Sequence, residues 1–135
     1  MSRTLTSIIA VLVLAGCAPS PTPSAVQASP ALAATVTVAQ AAALRDAGAF
    51  VVDVREPDEW AAGHIPEATL IPLGELAARV GELPRDRSIV VVCRSGNRSA
   101  QGRDILLGAG FVAVTSLDGG MTDWAAAGMP IETGD

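Results

Sequence analysis

From Thr35 onward, apolar runs of strand length alternate with stretches whose apolar residues recur at helical spacing. The β-branched run "TVTV" (Thr35–Val38) predicts a short first strand, and "AQAAALRDAG" (Ala39–Gly48) a helix with glycine as its stop. "FVVDV" (Phe50–Val54) predicts a second strand and "ATLIPL" (Ala68–Leu73) a third. In "PLGELAARVGEL" (Pro72–Leu83), Leu73, Leu76, Ala77, Val80 and Leu83 fall on one helix face, and Pro84 ends it. "SIVVVC" (Ser88–Cys93) predicts a fourth strand, "SAQGRDILLGAG" (Ser99–Gly110) a helix, "VAVTSL" (Val112–Leu117) a fifth strand and "MTDWAAAG" (Met121–Gly128) a last short helix. Strands alternating with helices imply an α/β domain with a parallel sheet covered on both faces. The strands lack polar alternation, as doubly covered strands should. No internal repeat is visible, so the reading is one domain.

Ligands in such sheets bind beyond the carboxyl ends of the strands. That edge receives Cys93, the segment "DVRE" at 53–56 and "DGG" at 118–120. Cys93 opens the loop "CRSGNRS", where an apolar strand stops and a helical pattern begins. Ser99 is read as the cap of that helix. A loop this short, curling into a helix N-terminus, points backbone N–H groups inward and forms an anion-binding nest. Gly96 permits a backbone conformation closed to most residues, and Arg94 and Arg98 add positive charge. The same features favour a thiolate. At pH 7 a thiol of pKa ~8.5 is only about 3% ionised, whereas a pKa of ~6.5 gives about three quarters. The competing reading is an inert core thiol with solvated arginines beside it.

The chain before Thr35 follows a different pattern. "MSRTLTSIIAVLVLAGC" carries one positive charge, Arg3, then an apolar stretch from Ile8 to Ala15. That stretch is too short to span a membrane and reads as a secretory signal peptide rather than a buried helix. "LAGC", Leu14 to Cys17, resembles the lipobox of bacterial lipoproteins. The resemblance implies cleavage before Cys17, so that residues 1–16 are signal peptide, and lipidation of the Cys17 sulfur. Two or more acyl chains suffice for stable anchoring. The expected location is extracytoplasmic, anchored by lipid to a bacterial membrane. Residues 17–34 are then the anchor and a linker rich in Pro, Ser and Ala, uncharged and without apolar period. It reaches on the order of 50 Å. A Cys17–Cys93 disulfide is the alternative; a thioether at Cys17 forbids it and leaves Cys93 the free thiol, a candidate for chemistry.

Composition narrows the function. The chain has 135 residues, enough for one domain with a core, and only two Phe and two Trp, so that core is aliphatic. Net charge is −5, and all nine basic residues are arginine. With no basic run, general nucleic-acid binding is not expected. One histidine, His64, cannot build a metal site, and no Cys/His cluster helps it. No metal and no cofactor are expected.

Four segments, in order, resemble the rhodanese (sulfurtransferase) family: "DVREPDEW" (Asp53–Trp60), "WAAGHIPEA" (Trp60–Ala68), the loop "CRSGNRS", and "VTSLDGGMTDW" (Val114–Trp124). The likeness covers about 100 residues, from Thr35 to the end at Asp135. Glu67 stands where the family pattern usually has Gly, and Leu117 and Met121 where aromatics are common. The resemblance implies a three-layer α/β/α fold with a five-stranded parallel sheet. It implies that Cys93 takes a sulfur from thiosulfate or a persulfide, carries it as a persulfide, and passes it to cyanide or a thiol, such as that of a thioredoxin-like protein. Arg94, Ser95, Gly96, Asn97, Arg98 and Ser99 would bind the donor, the two arginines by charge. Asp53, Arg55, Glu59 and His64 would brace the neighbouring loop. Two other readings use the same thiol. One is a non-enzymatic lipoprotein module that senses oxidants or docks a partner. The other is a cysteine phosphatase or arsenate reductase, whose loop has five residues between Cys and Arg where this one has four.

Overall fold

The computed structural model describes residues 31–134. Five strands, β1 (Thr35–Val36), β2 (Phe50–Asp53), β3 (Thr69–Leu70), β4 (Ile89–Val92) and β5 (Val114–Leu117), form one sheet in the order β1-β5-β4-β2-β3. Every pairing is parallel. The helices are α1 (Val38–Asp46), α2 (Pro57–Ala62), α3 (Leu73–Arg79), α4 (Asn97–Gly108) and α5 (Gly120–Ala126), with a 3₁₀ turn at Val80–Glu82 after α3.

All four residues of β4 are buried, because this central strand has a helical layer on each face. Ile89, Val91 and Cys93 point into a cluster with Leu76 of α3 and Leu106 of α4. Val90 and Val92 point the other way, among Ala41 of α1 and Met121 and Trp124 of α5. The predicted three-layer α/β/α architecture is therefore the observed one, with two aliphatic cores divided by the sheet.

The differences from the sequence reading have local causes. Helix α2 was not anticipated: "PDEWAA" has no apolar period, but Pro57 occupies the first turn, where its missing N–H costs nothing. The segment 72–83 divides into a short α-helix and a 3₁₀ turn. Helix α4 begins two residues early, at Asn97, with Gly96 as its cap, so Ser99 lies inside the first turn and is not the cap.

Glu67, where the resembling family has glycine, adopts φ 64°, the one described non-glycine residue with positive φ. The left-handed conformation costs an L-residue with a Cβ about 1–2 kcal/mol. Glycine would relieve this and give back part of the gain as unfolded-state entropy. Glu67→Gly is expected to raise urea stability by about 0.5–1 kcal/mol; an unchanged or lower midpoint would show that the turn is unstrained.

Candidate functional site

Cys93 follows the last residue of β4 and is 1% exposed. The chain turns at once: Gly96 takes φ 101° and caps α4. This turn brings the Gly96 N–H to 3.1 Å from the Cys93 sulfur. The backbone N–H groups of Ser95 and Ser99 also favour the charged sulfur. The Ser99 hydroxyl lies 3.4 Å from Sγ and donates to the Gly96 carbonyl at 2.9 Å. Burial pushes the thiol pKa up and is the largest single influence. The Ser99 hydroxyl and the amides of Ser99, Ser95 and Gly96 together outweigh it, and the net shift is downward. The nest inferred from the loop is thus built from backbone dipoles and one hydroxyl, with no base in hydrogen-bond contact with the sulfur among the described residues.

The corner between β5 and α5 clamps the loop from the other side. Met121 N–H donates to the Cys93 carbonyl at 2.8 Å, and Thr122 donates to the Arg94 carbonyl through both its N–H (3.0 Å) and its hydroxyl (2.9 Å). These contacts require the α5 backbone to lie against the loop. Gly120 allows it: at φ 55°, a Cβ there would collide with the Cys93 carbonyl and the Arg94 peptide. This is the physical content of the "DGG" segment. Thr122 and Gly120 escaped the sequence reading as contributors to the loop, although the glycine pair following a strand was the available signal.

Two charged clusters sit beside the loop. Asp53 and Arg55 are a buried pair, with Arg55 Nη2 2.6 Å from Asp53 Oδ2. Arg55 also donates to the carbonyls of Glu59 (3.0 Å) and Gly63 (2.8 Å), which fixes both ends of the segment carrying α2. Glu59 in turn holds Arg98 in a two-pronged pair, both contacts at 2.7 Å. The hydrogen bonds from Arg98 are the main cause that lowers the Glu59 pKa from 4.5 to about 2; partial burial opposes them, and the Glu56 amide and the charges of Arg98 and Arg55 reinforce them.

Arg98 therefore serves as a strap between α4 and α2 and offers the cysteine loop little uncompensated charge. Arg94 is exposed and makes no ion pair with any described residue, and Ser95 and Asn97 are exposed beside it. His64 stacks on Trp60, ring centroids 3.6 Å apart, donates from Nδ1 to the Trp60 carbonyl (3.1 Å), and pairs its backbone with Glu132. Its contacts belong to the α2 end of the molecule, not to the cysteine loop. No group of three or more His, Cys, Asp or Glu able to hold a metal occurs among the described residues. None of the described helices is long and apolar enough to cross a membrane. Cys17, the expected signal peptide and most of the expected linker lie outside the described residues.

Residues 37–127 match the family model described as "Rhodanese-like domain". A protein named sulfurtransferase from Allochromatium vinosum is 43% identical over 82 residues, spanning 61% of this chain and 77% of that one. Thiosulfate sulfurtransferase GlpE of Pseudomonas syringae is 41% identical over 85 residues, 63% of this chain and 80% of that one. Among solved structures, a rhodanese-related protein of Thermoplasma volcanium superposes with TM-score 0.68 at 33% identity, covering 73% of this chain and 96% of that one.

The Glu59–Arg98 strap predicts an acid-side effect. Because the Glu59 pKa is depressed when folded, its stabilisation is complete above about 4.5 and is lost as pH falls toward about 2. Urea stability measured across this window should fall less steeply in Glu59→Gln than in the wild type; parallel curves would deny the strap a role.

Proposed function

The chain belongs to the rhodanese-like family, and on that premise we propose that it is a sulfurtransferase whose nucleophile is Cys93. One observation carries the reading: a buried sulfur at a strand end, within reach of three backbone N–H groups and a hydroxyl, its ionisation favoured without a base. The thiolate attacks the outer sulfur of thiosulfate. The new S–S bond forms at Cys93, the S–S bond of thiosulfate breaks, and sulfite leaves with the electron pair. The Cys93 persulfide then bears the negative charge within reach of the same donors. Cyanide attacks the outer sulfur, thiocyanate forms, and the Cys93 thiolate is regenerated. A thiol acceptor takes the sulfur in the same way and leaves as a persulfide. Two half-reactions through a covalent intermediate give ping-pong kinetics.

In this reading the donor meets Arg94 first, since Arg98 is engaged by Glu59. That engagement also counts against the phosphatase alternative, which needs the loop arginine to clasp a phosphate. Cys93→Ser is expected to abolish thiosulfate:cyanide transfer, and mass spectrometry of the wild type after thiosulfate treatment should find one added sulfur atom on Cys93. Retained activity in the Ser variant would remove Cys93 from the mechanism, and a stable oxidised Cys93 not discharged by cyanide or a dithiol would favour the sensing module.

We also propose that Cys17 is lipidated and that the domain works outside the cytoplasm on a bacterial membrane, a reading supported by the "LAGC" segment and the uncharged, proline-bearing residues after it. Cys17→Ser should move the full chain from the membrane to the soluble fraction on cell fractionation; unchanged membrane retention would sink the proposal.

A further inference from the structure

Ser99 and Ser116 are both 0% exposed and lie on different elements, and a hydrogen bond joins them. Ser116 is paired in register with Val91 of β4, so it faces the α4 side of the sheet, as Val91 and Cys93 do. Its hydroxyl donates to Ser99 Oγ at 2.8 Å, and this is the one side-chain hydrogen bond it makes among the described residues. Ser99 Oγ stands in turn 3.4 Å from the Cys93 sulfur. A line of three groups thus runs from the interior of β5 to the nucleophile: Ser116, Ser99, Cys93.

A serine hydroxyl carries one proton. If Ser99 donated to Ser116, it would have none for the sulfur. Because Ser116 donates, the Ser99 proton has two acceptors within reach, the Gly96 carbonyl and Sγ. With Cys93 protonated, the thiol donates to Ser99 and the Ser99 proton rests on Gly96 O. When the thiol ionises, the sulfur becomes the stronger acceptor and the Ser99 proton turns to it. Ser116 keeps its own bond throughout and polarises the Ser99 hydroxyl, since hydrogen bonds in a chain strengthen one another.

We propose that Ser116 is a positioning residue of the sulfur site: by donating to Ser99 it directs the single Ser99 proton toward the ionised Cys93 sulfur. Ser116 never touches the substrate; it acts through Ser99. The surrounding charges are Arg94 in the loop, Arg98 on α4 with its partner Glu59 on α2, the Asp53–Arg55 pair at the end of β2, and Asp118 and Asp123 at the β5–α5 corner. Ser116→Ala changes none of them.

The test is the pH dependence of Cys93 alkylation by iodoacetamide in the full chain, with peptide mass spectrometry scoring Cys93 separately from Cys17. Alkylation needs no sulfur donor or acceptor, so its outcome is independent of whether the protein transfers sulfur. Ser116→Ala should move the midpoint upward by about half a unit to one unit. Ser99→Ala should move it at least as far, and the double variant should match Ser99→Ala. An unchanged profile in Ser116→Ala, with only a lower midpoint of thermal unfolding, would reduce Ser116 to a packing residue. A Ser116→Ala shift that persists in full in the Ser99→Ala background would overturn the relay.

Discussion

The arrangement of the site depends on one buried ion pair, Asp53 with Arg55 at the carboxyl end of β2. Both groups are almost fully buried, and breaking such a pair typically costs about 3–5 kcal/mol. Two further Arg55 N–H groups go to carbonyls of the α2 segment. That ties α2 to the sheet, sets Glu59 in place, and lets Glu59 hold the first turn of α4 through Arg98. The cysteine loop is what lies between β4 and that turn. Its position is thus transmitted from the neighbouring strand by a series of charge-assisted bonds rather than by apolar packing alone.

The second restraint comes from the opposite side of β4. Met121 and Thr122 hold the loop carbonyls, and Gly120 lets their backbone approach. Clamped by α2 and α4 on one side and by α5 on the other, the loop keeps its N–H groups aimed at the sulfur. Such preorganisation spares the reaction the cost of turning dipoles at the moment charge moves.

The sheet and its two cores were legible because β4 is an uninterrupted aliphatic run, β2 is nearly as apolar, and the predicted strands are bounded by turn residues. The sulfur loop was legible for a related reason: a thiol, a glycine and two arginines at the junction of two periodicities. What stayed hidden was long-range. Nothing near Arg98 in the chain announces Glu59, 39 residues away, so its charge was read as facing the donor. Ser116 sits in a short strand where a hydroxyl carries no local signal, and only the register with β4 reveals what it faces. Helix α2 was missed because its reason for being is the Arg55 tether and a well-placed proline, neither of which has an apolar period.

The cradle around Cys93 is made of peptide N–H groups and a hydroxyl, none of which gains or loses a proton in ordinary buffers. A catalytic imidazole would have to be reset after each turnover. In the transfer proposed above this site would have nothing to reset: the negative charge would move from the cysteine sulfur to the outer sulfur and back, with the same proton inventory at the end of each half-reaction as at its start. Above the acid range in which Glu59 titrates and the strap on Arg98 is lost, such a cradle holds its field constant, and acidity reaches the sulfur through the thiol's own proton.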